Sequence, residues 1–141
     1  SFYDAERPGM TILYDAAYPL LALSQAALVT SGTATLETAA IGTPQVVCYR
    51  ANGSKLSYKL FEHILKVRFV SLPNLIADKE VVPELLLHLC NPDNIAAHLA
   101  PLLNDSAERR AMLDGYKTVR QRLGSNDSAE TAARQLIADL K

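Results

Sequence analysis

The chain is expected to be an α/β protein: a Rossmann-like parallel sheet of about four strands flanked by helices, with a helical C-terminal tail. Three observations predict this. Short apolar runs, such as Ala27-Leu28-Val29 and Val46-Val47-Cys48-Tyr49, alternate with segments of helical character. The runs are continuous, not alternating, as a strand requires when helices cover both faces of a parallel sheet. Beyond residue 104 the sequence turns rich in Ala, Leu, Arg and Glu, a composition of helices without strands.

Taken in order, Met10 to Tyr14 reads as a short strand, and Asp15 as the cap of a helix running to about Gln25, with Tyr18, Leu20, Leu21 and Leu23 as its apolar positions. Residues 27–30 form the next strand, 33–41 a helix and 45–49 another strand. Asn52-Gly53-Ser54 makes a turn, and Ser54 caps a helix over 55–66. "RFVSLPN" is expected to be a strand closed by Pro73, with helices over 79–89 and 92–103, the second opened by Pro92. A helix over about 106–123 follows, then one from Ser128 to Lys141 that starts on Ser-Ala-Glu-Thr. The whole is one domain over 1–141, with a Rossmann-like region at 10–103 and C-terminal helices at 104–141.

Bulk properties narrow the function. A chain of 141 residues with 49% hydrophobic and 21% charged residues can bury a core. Its net charge of −1 offers no global attraction to nucleic acid. The two cysteines, Cys48 and Cys90, read as structural thiols in a reducing compartment. No apolar run reaches the roughly 18 residues of a membrane span. A start at Ser1 without an initiator methionine, followed by a polar, turn-rich entry, suggests a piece of a larger protein, though a processed or tagged terminus looks the same.

The stretch "AALVTSGTATLETAAIGTPQVVCYR" holds the candidate chemistry. An apolar strand stops at Thr30-Ser31-Gly32-Thr33 and a helix begins there. Ligands of open α/β sheets bind outside the carboxyl ends of strands, where such turns lie. Gly32 permits close backbone approach, helix N–H groups and the helix dipole favour an anion, and the Ser31 and Thr33 hydroxyls add donors. Glu37 lies four residues past Thr33, roughly 6 Å along the axis. A carboxylate beside a phosphate would repel it. One turn back, it can accept hydrogen bonds from a sugar joined to that phosphate. The same residues also suit plain helix capping. The G-x-G-x-x-G fingerprint and the G-x-x-x-x-G-K-[ST] loop are both absent.

"SGTATLETAAIGTPQVVCYR", followed by "FVSLPNLIADKEVVPELL", resembles the lipid-A-disaccharide synthase family over about Tyr14 to Leu103. More loosely, the first motif is similar to the nucleotide-binding helix of the peptidoglycan N-acetylglucosaminyl transferase, with a Glu seven residues before a Pro (Glu37 and Pro44). The resemblance implies a GT-B glycosyltransferase, inverting and independent of metals and cofactors. It would take 2,3-diacylglucosamine from UDP to 2,3-diacylglucosamine 1-phosphate. It further implies that Ser31, Gly32 and Thr33 face the UDP-sugar diphosphate and Glu37 the ribose. Region 10–103 would then be the UDP-sugar-binding part. The N-terminal domain would supply acceptor binding and the general base, so no catalytic residue is expected in this chain.

Other positions carry weaker signals. Arg50 ends the second strand of the motif and either reaches a phosphate or is surface charge. The likeness places Asn74 and Glu84 beside the sugar cleft, although Glu84 could equally be a helix-start charge. Where the family pattern has a Gln after "PELL", this chain has Leu87, which puts a polar contact there in doubt. His63, His88 and His98 lack metal-ligand spacing. "SKLSYKLFEHILKVRF" is a basic amphipathic segment, a crossover helix before it is a membrane-surface one. The expected setting is cytoplasmic and peripheral to the inner membrane, with a lipid acceptor; a homo-oligomer stays open. The rival readings are another GT-B-like UDP-GlcNAc enzyme, either a peptidoglycan-type transferase or a 2-epimerase, and a non-catalytic nucleotide-binding module.

Overall fold

A computed structural model describes residues 9–30, 32–49 and 68–124. Three strands form one parallel sheet in the order β1 (Ala27–Thr30), β2 (Gln45–Tyr49), β3 (Glu84–Leu86). Ala27 lies opposite Gln45 and Thr30 opposite Cys48, while Val47 pairs with Glu84 and Tyr49 with Leu86. All three carboxyl ends therefore fall on one edge of the sheet. The α/β class and parallel sheet agree with the sequence; three strands are seen among the described residues where about four were expected.

Helices α1 (Ala17–Leu23), α2 (Thr33–Ile41), α3 (Leu72–Ala77), α4 (Pro92–Leu99) and α5 (Ala107–Leu123) surround the sheet. Successive β2 side chains point to opposite faces. Gln45 reaches Thr35 of α2 and Tyr116 of α5 on one face. Cys48, of opposite parity, meets Cys90 on the other. Val46, Val47, Val82, Leu85, Leu102, Met112, Tyr116 and Val119 make the buried core, joined by Ala39 and Ala77.

Within that core runs a polar chain. The Gln45 amide donates to the Thr35 carbonyl at 2.9 Å and to the Tyr116 hydroxyl at 3.2 Å, and that hydroxyl donates to the Thr43 carbonyl at 3.1 Å. Burial drives the Tyr116 phenol far above its usual range, so it stays a neutral donor. Three arginines of α5 extend the ties outward. Arg109 donates to Gln25 O, Arg120 to Ala39 O and Arg122 to Ile76 O. The last two satisfy carbonyls at the ends of α2 and α3, which helix geometry leaves without partners.

Several expected elements differ. Residues 10–14 form no strand: Met10, Leu13 and Tyr14 are exposed, and no neighbouring strand among the described residues offers them a ladder. Asp15 adopts φ 53° and does not cap α1, whose N-cap is Ala16 and whose last residue is Leu23. The expected strand at "RFVSLPN" is irregular up to Ser71 and then becomes α3, with Pro73 in its first turn, a place that proline suits. The helix expected over 79–89 is instead a loop, then β3, then a 3₁₀ turn at Leu87–Leu89. Pairing with β2 overrides the helical preference of Glu-Leu-Leu-Leu. Residues 92–103 split into α4 and a 3₁₀ turn at Ala100–Leu103. The expected helices over 55–66 and 128–141, with the turn at 52–54, lie outside the described residues.

Candidate functional site

The carboxyl edge of the sheet begins at Thr30, the last residue of β1. Ser31 lies outside the described residues, as does Arg50 beyond β2. Gly32 follows with φ 140° and ψ −165°, a conformation open to glycine and costly for any side chain. A Cβ added there would meet nothing within 4 Å, so the surroundings are open and the demand for glycine comes from the backbone. The turn is held from behind: Thr35, fully buried, donates from its hydroxyl (2.7 Å) and its amide (3.1 Å) to the Gly32 carbonyl. That carbonyl is drawn toward the helix, while Thr33 stays exposed at the start of α2.

Because Gly32 is the N-cap, that position supplies no side-chain oxygen to the first turn of α2, and the positive end of a nine-residue helix faces outward. Glu37 is exposed one turn on, and its Oε1 accepts from the Tyr18 hydroxyl at 3.1 Å. Gly32, Thr33 and Glu37 thus occupy one solvent-facing strip. It can bind an anion at its amino end and a hydroxyl-rich group near Glu37.

Asn74 and Glu84 form a second cluster, with no hydrogen bond to the first among the described residues. Asn74 is fully buried and uses every polar valence. Its Oδ1 accepts from Val81 N and Val82 N at 2.7 and 2.9 Å; its Nδ2 donates to Val82 O and Glu84 Oε1 at 2.9 and 2.8 Å. The Glu84 carboxylate accepts from Val70 N, Ser71 N and the Ser71 hydroxyl, at 2.9, 2.8 and 2.6 Å. It caps the start of α3 from across the loop. All four side-chain hydrogen bonds of Asn74 go to this loop and fix its course.

Leu87 stands just past β3 on the same edge as the Gly32 turn, with φ 55°, a left-handed conformation uncommon for a bulky residue. The Cys48 thiol is pushed up to about 11, first by burial and then by the adjoining Cys90 thiol, so it remains neutral at physiological pH. Both cysteines are free. His88 and His98 are exposed; His63 lies outside the described residues. Among the described residues no three His, Cys, Asp or Glu side chains gather to hold a metal, and no helix is long and apolar enough to cross a membrane.

One hollow of about 230 Å³ opens at the other edge of the sheet, lined by Glu80, Val82, Pro83, His98, Glu108 and Met112. Val82 and Pro83 precede β3, so this hollow is remote from the strand carboxyl ends. The backbone conformation, helix end and oriented carboxylate favour the Gly32 strip.

Tyr18 and Thr35 are the residues here that motif reasoning did not place. Tyr18 read as one more apolar helix position, and nothing local ties it to a carboxylate 19 positions away. Thr35 is a repeat of the small hydroxyl pattern after Gly32, which was a usable signal.

Residues 5–138 match the family model described as Lipid-A-disaccharide synthetase. Proteins named lipid-A-disaccharide synthase are similar: one from Syntrophus aciditrophicus is 38% identical over 97% of this chain and 35% of its own length. One from Rhodospirillum centenum is 40% identical over 85% of the chain and 30% of its own length. One from Pseudomonas aeruginosa is 38% identical over 91% and 33%. The chain spans about a third of the curated relatives it matches.

Proposed function

Since this chain belongs to the lipid-A-disaccharide synthetase family, we propose that it is the UDP-sugar-binding part of a GT-B glycosyltransferase of lipid A biosynthesis. The proposed whole enzyme moves 2,3-diacylglucosamine from UDP to 2,3-diacylglucosamine 1-phosphate with inversion. The acceptor hydroxyl loses its proton to a base within hydrogen-bond reach as it attacks the anomeric carbon, and UDP departs. The base and most of the acceptor site belong to the part of the family protein beyond this chain.

The observation that carries this reading is the Gly32 turn leading into the exposed start of α2, with Glu37 one turn on. On it the diphosphate sits at the helix N-terminus and developing charge on the leaving UDP meets backbone N–H groups instead of a metal. Thr33 and Ser31 add hydroxyl donors, Arg50 a positive charge, and Glu37 accepts from the ribose. Asn74 and Glu84 serve as the scaffold of the neighbouring loop. The protein acts at the cytoplasmic face of the inner membrane, where its lipid acceptor resides.

Glu37→Ala tests this. UDP affinity should fall by about 1.5–3 kcal/mol, the worth of a hydrogen bond to a charged group, and pyrophosphate affinity should barely change in calorimetric titration. Equal losses for both ligands would remove the ribose role, and a chain that binds neither would remove the site.

A further inference from the structure

Glu37 is held by a residue on another helix. The Tyr18 hydroxyl donates to its Oε1 at 3.1 Å, bridging α1 to α2 at the surface. Among the described residues no Lys, Arg or His lies within ion-pair distance of this carboxylate. Tyr18 itself is 60% exposed, and α1 buries none of its residues. The phenol is therefore no core side chain that happens to touch a glutamate: it meets solvent beside the strip. Hydrogen bonding to Glu37, and then its charge, hold the phenol above the usual range, so the hydroxyl keeps its proton.

We propose that Tyr18 is a positioning residue of the nucleotide-sugar site. Its hydroxyl fixes the rotamer of Glu37 so that Oε2 faces the strip as a pre-aimed acceptor for a sugar diol. This rests on the reading of Glu37 as the ribose contact. An exposed Glu samples many rotamers, and freezing it on binding costs affinity. A neutral donor on one oxygen removes part of that cost without neutralising the charge, as a lysine partner would. It also leaves the other oxygen's lone pairs for a ligand. A second tie sets the geometry: the Thr43 hydroxyl donates to the Leu21 carbonyl at 2.7 Å, anchoring α1 beside the end of α2. Tyr18 can therefore be altered without releasing α1.

The test is Tyr18→Phe in the chain, titrated with UDP, 2′-deoxy-UDP and pyrophosphate, alone and combined with Glu37→Ala. Tyr18→Phe should weaken UDP about three- to tenfold, in line with the rotamer entropy of one glutamate side chain. It should narrow the preference for UDP over 2′-deoxy-UDP and leave pyrophosphate unchanged. Adding it to Glu37→Ala should cost nothing more. A purely structural Tyr18 would weaken all three ligands alike or none of them, and either result overturns the proposal, as does a full extra loss in the double variant. If Glu37→Ala itself spares the ratio of UDP to pyrophosphate, the ribose reading has failed and the Tyr18 role falls with it. If that ratio changes while Tyr18→Phe is silent, only the Tyr18 role fails. A circular dichroism melt of each variant keeps loss of fold apart from loss of ligand.

Discussion

Gly32 concentrates the case at the scale of single residues. Its φ of 140° belongs to glycine, yet no atom would crowd a Cβ there. Gly32→Val therefore acts through the backbone: about 1–3 kcal/mol of strain, relieved by turning the peptide and spoiling the helix start. The variant should stay folded by circular dichroism and lose UDP binding; unchanged binding would show that the turn is not the anion site. Gly32, Thr33 and Glu37 were legible in the sequence because their spacing alone fixes them on one helix start. Tyr18 was not, since its partner arrives through tertiary packing. The four hydrogen bonds that Asn74 makes within its loop were not legible either, because Val81, Val82 and Glu84 reach it through the fold of the loop.

Among the elements, β1, α2 and β2 match the sequence reading residue for residue, because turns and glycines punctuate them: Gly32 at one end of α2 and the left-handed Gly42 at the other. The segment from Arg68 to Leu89 does not. Its local preferences point to strand then helix, and the order is reversed because Glu84 caps α3 from a distance while β2 recruits 84–86 as a strand. No window of neighbouring residues contains that information. Glu84→Ala would strand Val70 N, Ser71 N, the Ser71 hydroxyl and one Asn74 donor. A loss of about 1.5–3 kcal/mol in urea unfolding is expected. A stability unchanged within a few tenths of a kcal/mol would mean the carboxylate does not organise this loop.

For the whole molecule, α5 closes the fold. Gly115 lies so near Val81 that an added Cβ would sit 2.5 Å from its Cγ1, while Met112, Tyr116 and Val119 fill the core. The sequence showed a helix over about 106–123, and α5 runs from Ala107 to Leu123 with Ser106 as its N-cap; no sign in the sequence said that its arginines tie down α2 and α3. On the proposed reading this platform is one wall of the nucleotide-sugar cleft, and the chain spans about a third of its relatives. It should show no disaccharide synthesis by itself from UDP-diacylglucosamine and acceptor in a thin-layer assay; robust turnover would mean that the base lies within these 141 residues. The central claim, that the Gly32 strip is where the nucleotide sits, is tested most directly by titrating the isotope-labelled chain with UDP and following backbone amide resonances. The largest shifts are expected on Gly32, Thr33, Ala34 and Glu37, with Tyr18 following. Shifts centred on Glu80, Val82, His98 and Glu108, around the hollow at the opposite edge of the sheet, would contradict it.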